Sequence, residues 1–309
     1  MNNGDIAVTS PRTAPAAIPA KRLLYWSVRR ELWENRFLYL VPLIVSAIVL
    51  FASFIHLFGF PRRMQNALTL DPARQHAVIV GPFSMAPAPI MFATFLVGLF
   101  YCLDALYGER RDRSILFWKS LPVSDRTTVL SKVTVPLVVL PLFAFALALV
   151  TQRFMMLQAT AVLVANGMSA APLWKEFRFF QESLVMLYGL VVHALWYAPI
   201  YGWLLLVSAW AKRAPLLWAL VPPMLISAFE RGAFGTRSFM RMLQYRVTGA
   251  MQEAFLFTPR RDSHPPLIDQ LSQLDPARFL TRPGLWVGLA FAVVCLVAAV
   301  RLRRNREPI

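Results

Sequence analysis

LYGERRDRSILFWKSLPVSDRTTVLSK, residues 106 to 132, lies between two strongly apolar runs, Ile90–Tyr107 and Val133–Val150. It therefore reads as a polar loop joining two membrane spans on one side of a bilayer. A loop that only reverses the chain needs far less. This one carries Arg110, Arg111, Arg113, Lys119, Arg126 and Lys132, with Glu109, Asp112 and Asp125. Among these charges sits a compact apolar group, Ile115, Leu116, Phe117, Trp118 and Leu121. Charge around a small apolar face predicts a short helix that docks on a partner.

Pro122 ends that helix, because a proline pushes the residue before it out of the helical region. Ser124 or Asp125 can then cap the next helix, which runs through Lys132 into the following span. In this stretch the chain resembles the cytoplasmic loop of type 2 ABC-transporter permeases, membrane subunits that pair with a separate ATPase. The resemblance rests on Glu109, Ser114, Leu116, Leu121, Pro122, Val123, Ser124 and Lys132. Where that family often has Gly-Thr, this chain has Arg113-Ser114, a departure that points to a subfamily.

The resemblance implies a docking set of Glu109, Arg110, Arg111, Arg113, Ser114, Phe117, Trp118, Lys119, Leu121 and Pro122. Phe117, Trp118 and Leu121 would fill a groove on the ATPase, and the arginines and Lys119 would orient it. Glu109 would hold the loop to an interfacial helix of its own chain. ATP and Mg would belong to the partner subunit, with no cofactor in this chain, and the permease would work as a homodimer or heterodimer. A solvated basic flank touching lipid headgroups is the plainer reading of the same loop.

Composition sets the class. Among 309 residues 57% are hydrophobic, yet the formal net charge is +16, a combination foreign to soluble domains. The basic residues cluster at the ends of apolar runs, which favours lipid headgroups over nucleic acid. Cys102 and Cys295 fall inside apolar spans, so neither a disulfide framework nor a cysteine metal site is encoded.

The expected fold is all-α: a polytopic membrane protein with six transmembrane helices. Residues 1–20 read as a disordered tail without a secretory signal, and 21–309 as a single membrane domain. Lys21–Arg36 has Leu24, Tyr25, Val28 and Leu32 on one arc, with Ser27, Arg30, Glu31 and Glu34 opposite. That pattern predicts an amphipathic helix lying in the membrane interface. Similar permeases carry such a helix; a plain basic flank is the alternative.

The spans follow as Phe37–Phe58, Ile90–Tyr107, Val133–Val150, Leu184–Trp210, Ala214–Phe229 and Gly284–Val300. At 1.5 Å per residue the first covers the roughly 30 Å of hydrocarbon, whereas the fifth is short and holds Pro222-Pro223. Pro61–Pro89 reads as an outside loop. Phe154–Ala165 is too short to cross and reads as a continued helix or interfacial segment stopped at Asn166-Gly167. Glu230–Pro283 is a long polar region, part of it amphipathic, with a turn at His264-Pro265-Pro266 and a short amphipathic piece over Leu267–Leu274. In similar permeases, short helices there re-enter the outer leaflet.

Of the 32 Lys and Arg, 18 lie before the first span, in the central loop, or after the fourth and sixth spans. Basic density is then roughly twice as high on that side, which makes it the inside, with both termini cytoplasmic. Together with the resemblance this places the chain in the cytoplasmic (inner) membrane of a bacterium.

Other chemistry finds little footing. The 13 glycines include no phosphate-binding G-x-x-x-x-G-K-[ST] loop, so the chain is not expected to act as an enzyme on ATP. His56, His76, His193 and His264 are scattered, and only His193 and the end-lying Asp104 ionise within spans. This argues against membrane proteases, metal sites and ion-coupled carriers. His193, Trp196 and Trp203 read either as a translocation wall or as packing and anchoring, and Gly284-x-x-x-Gly288 as a weak helix-pairing motif. The function read from the sequence is thus the permease subunit of an ABC exporter; the alternative is a non-transporting membrane scaffold for a cytosolic partner.

Overall fold

The computed structural model describes residues 19–120, 123–256, 268 and 270–305, and there the chain is all-α. Of the expected tail, residues 1–20, the first 18 lie outside the described residues and Ala20 opens a helix; Leu121, Pro122, Arg306 and the His264-Pro265-Pro266 turn also lie outside them. The helices are α1 (Ala20–Glu34), α2 (Phe37–His56), α3 (Phe60–Ala67), α4 (Pro72–Ser84), α5 (Pro87–Ala105), α6 (Tyr107–Arg111), α7 (Ser114–Ser120) and α8 (Asp125–Thr134). They continue with α9 (Leu140–Ala165), α10 (Ala171–Glu176), α11 (Phe179–Trp210), α12 (Pro215–Phe234), α13 (Ser238–Ala254), α14 (Pro276–Thr281) and α15 (Pro283–Asn305).

Five helical runs among the described residues are long and apolar enough to cross a bilayer: Phe37–Ala67, Arg74–Arg111, Asp125–Ala165, Phe179–Trp210 and Pro283–Asn305. The protein is a polytopic membrane protein. Side chains such as Phe51, Phe54, Val287 and Val294 stand exposed on its outer faces, as hydrocarbon rather than water requires.

Local chemistry sets the breaks. Ser124 caps α8, its Oγ accepting from the Thr127 amide at 3.1 Å. Asp71 caps α4 in the same way and Pro72 occupies the first helical position, so Pro61–Pro89, expected as a loop, is largely α3 and α4. Pro136 lacks an amide hydrogen, and a π-turn over Val135–Val139 absorbs the missing bond, so α8 and α9 form one unbroken run. Phe154–Ala165 continues that run until Gly167, at φ +71°, turns the chain; the Met168 amide then bonds the Leu163 carbonyl at 2.9 Å.

The expected fifth span, Ala214–Phe229, is not among the five. It becomes α12, whose centre holds Pro222-Pro223 and whose last turns hold Glu230 and Arg231. The chain from α11 back to α15 instead follows α11 in two pieces. Trp203 Nε1 donates to the Ala219 carbonyl at 3.2 Å, Trp196 Nε1 to the Arg246 carbonyl at 2.7 Å, and the Tyr188 hydroxyl to the Ala254 carbonyl at 3.1 Å. The tryptophan repeat therefore seats α12 and α13 on α11, with Trp196 fully buried. Trp196 thus packs α13 against α11.

α11 is the central post, packed against α5, α9, α12, α13 and, along much of its length, α15. Gly202 permits that last contact, since a Cβ there would lie 3.2 Å from the Ala292 backbone. The Gly284-x-x-x-Gly288 motif serves a contact inside the chain: Arg246 donates to the Gly284 carbonyl, and its guanidinium occupies the space a Cβ on Gly288 would need.

Candidate functional site

The loop read from the sequence stands on a buried group of charges at one end of the bundle. α1 supplies Arg30 and Glu31, α6 supplies Glu109, α8 supplies Asp125 and Lys132, and α15 supplies Arg303. Lys132 Nζ lies 2.9 Å from Glu31 Oε1 and 3.1 Å from Glu109 Oε1. The Tyr101 hydroxyl donates to the other oxygen of Glu31 at 2.8 Å. Arg303 donates to Glu109 Oε2 at 2.8 Å and, through its second terminal nitrogen, to Asp125. Arg30 reaches Glu31 at 2.7 Å and Glu109 at 3.3 Å.

Three cations face three carboxylates, so the group is neutral as a whole although Glu31 and Lys132 are 1% and 2% exposed. Such a group is held by mutual pairing, and removal of one member leaves a buried charge at a cost of about 3–5 kcal/mol. Burial opposes the charge on Arg30, but Glu31, Glu34 and Glu109 outweigh it and raise its pKa.

α6 is fixed independently. Ser208 Oγ accepts from the Leu106 and Tyr107 amides at 3.0 and 2.9 Å, which satisfies the break between α5 and α6. Arg110 donates to the Ser208 and Ala211 carbonyls at the end of α11. The sequence suggested Arg110 as an outward, orienting charge; it is 3% exposed and clamps the loop to α11 from within. Arg111 is outward, paired with Asp112 at 2.9 Å and with Asp104 at 3.7 Å. Asp104 thus finds the loop arginine, as a carboxylate at the end of a span does.

Arg113 adopts φ +57°, a left-handed turn between α6 and α7 at the point where the resembled family often has glycine. α7 then begins at Ser114, with Ile115 buried at 1% exposure and Phe117 60% exposed. Trp118 lies beneath the Arg30 guanidinium, 3.8 Å from its ring centre, so this residue is held by α1 and is only partly available to a partner. The side chains of Leu116 and Lys119 lie outside the described residues, as do Leu121 and Pro122.

Five members of the group, Arg30, Glu31, Asp125, Lys132 and Arg303, were not singled out as site residues from sequence. Glu31 was placed on the outward arc of α1, yet it points inward because Lys132 and Tyr101 await it there. Asp125 had been a cap candidate, Lys132 one of the residues carrying the resemblance, and Arg303 one of several anchoring arginines. Their common signal was position: each lies within a turn or two of a span end.

His193 completes the residues expected to form a wall. Its Nε2 lies 3.0 Å from the Tyr201 hydroxyl, and its ring packs against Phe95 and Tyr197 between α5 and α11. No group of three or more His, Cys, Asp or Glu able to hold a metal ion occurs among the described residues. No family model matches the chain, and no curated protein or solved structure matches it either.

Proposed function

We propose that the chain is the membrane subunit of an ABC exporter, driven by ATP hydrolysed in a separate subunit that docks on α7. The observation that carries this reading is the mounting of α7. A short helix with Phe117 exposed at its surface projects from a base tied by buried charge to α1, α6, α8 and α15. A force applied to α7 passes through Glu109 to α5 on one side and through Asp125 and Lys132 to α9 on the other. Closure of an ATPase dimer would thereby move the second and third spans together. The chain hydrolyses nothing itself.

In this reading α7 faces the cytoplasm, with the arginine-rich end of α15 and the start of α2 on the same side. Glu109, Asp125 and Arg303 meet at one end of the bundle, which supports both ends of the described chain lying on that side. α12 and α13 together then supply a sixth passage, broken at Gly235. A permease dimer, in the inner membrane of a bacterium, provides two such handles for two ATPase subunits.

The test is copurification with a co-expressed ATPase of the same operon. Phe117→Asp is expected to abolish recovery of the ATPase while the permease still inserts at the wild-type level. Full recovery with Phe117→Asp overturns the docking assignment. An ATPase that binds but whose turnover responds to no cargo in vesicles favours a scaffold instead.

A further inference from the structure

At the end of the bundle opposite the charge cluster, a cleft of about 430 Å³ opens between α4, the junction of α10 with α11, and the segment before α14. Along α11, Glu182 in this cleft and Ser208 at the loop are separated by about 39 Å at 1.5 Å per residue. The volume falls in the range of small-molecule sites, but the lining does not resemble the rest of this apolar chain. Its lining residues are all of polar type, among them His76, Lys175, Glu176, Arg178, Glu182 and Ser272.

The charges in it are arranged by sign. Glu176 accepts from His76 at 3.0 Å on one wall, and Glu182, nearly buried, is held by Ser84 and by Gln152 at 3.3 Å on the floor. Lys175 and Arg178 are exposed and make no ion pair among the described residues. Two cations at the mouth and two carboxylates on the inner walls repel a simple anion and a simple cation alike. They complement a group carrying both charges a few ångströms apart.

We propose that this cleft binds a zwitterionic phosphoethanolamine group, its phosphate between Lys175 and Arg178 and its ammonium toward Glu176 and Glu182. Guanidinium and ammonium donors suit phosphate oxygens, and an ammonium that can donate hydrogen bonds suits the carboxylates better than a quaternary one. The site does not depend on which partner grips α7.

Native mass spectrometry of the full chain tests it, with phosphatidylethanolamine, phosphatidylglycerol and phosphatidylcholine offered in equal amounts, and with free O-phosphoethanolamine offered separately. Wild type is expected to retain the ethanolamine lipid, and K175Q/R178Q to lose about fivefold of that adduct, as exposed ion pairs allow. E176Q is expected to shift retention toward the glycerol lipid, which a general loss of folding does not do. Binding of free O-phosphoethanolamine without the lipid assigns a soluble source, and binding of the lipid assigns a membrane source. A wild-type chain that binds neither, or variants that keep its lipid profile, overturn the proposal.

Discussion

Arg303 and Glu109, 194 residues apart in sequence, meet at 2.8 Å at the base of the loop. The same guanidinium also reaches Asp125, so one side chain of the last helix holds both ends of the segment that carries α7. Arg303→Ala should release that hold while leaving insertion unchanged. Amide exchange over residues 109–125 is expected to quicken, with exchange in α11 unaltered. Unchanged exchange in the loop would show that α15 is not part of the mounting.

Lys132 bridges Glu31 and Glu109, both buried. Lys132→Met is therefore expected to destabilise the protein in detergent by about 3–5 kcal/mol, since it leaves three buried carboxylates facing two cations. Adding Glu109→Gln should restore part of that loss. A double-mutant cycle that comes out additive would separate these residues energetically.

Trp118 and Phe117 are neighbours on α7 with different surroundings. Trp118→Ala forfeits the stacking on Arg30, worth about 0.5–1 kcal/mol, and should loosen α7 from α1. Phe117→Ala should cost the isolated chain less, because that ring is 60% exposed and meets Trp118 edge-on with centroids 4.9 Å apart. Thermal unfolding of the two variants distinguishes them; equal losses would contradict the assignment.

Gly202 and Gly288 both sit at close approaches, but what meets them differs. A methyl group on Gly202 meets the Ala292 backbone, whereas on Gly288 it meets the flexible end of Arg246. Gly202→Val should thus part α11 from α15 and lower yield sharply. Gly288→Ala should cost only the Arg246 contact and shift the fluorescence of Trp196, over which that guanidinium lies at 4.5 Å. Comparable yields for the two variants would refute the distinction.

The apolar runs and the loop were legible because hydropathy and Pro122 act locally. All the expected spans but the fifth lie within observed helical runs, and the stop at Asn166-Gly167 followed from glycine's freedom at positive φ. What escaped was tertiary. Glu31 turns inward for partners 70 and 101 residues away, and no periodicity within α1 records them. Arg110 looks like its neighbour Arg111 in sequence, yet the carbonyls at the end of α11 draw it inside. Pro61–Pro89 concealed two helices because proline at a first turn promotes what proline in an interior breaks. In α12 the paired prolines and the closing Glu230-Arg231 lowered an apolar run below what a crossing needs.

The π-turn at Val135–Val139 begins three residues beyond Lys132 and so lies between the end of α8 that enters the charge cluster and α9. A helix wound this way stores one residue more than its length demands. If that residue is taken up, everything above the turn rotates by about 100° relative to everything below, with the hydrogen-bond ladder intact on both sides. In the transport reading proposed above, this turn is the point at which a pull at Lys132 emerges along α9 as a twist.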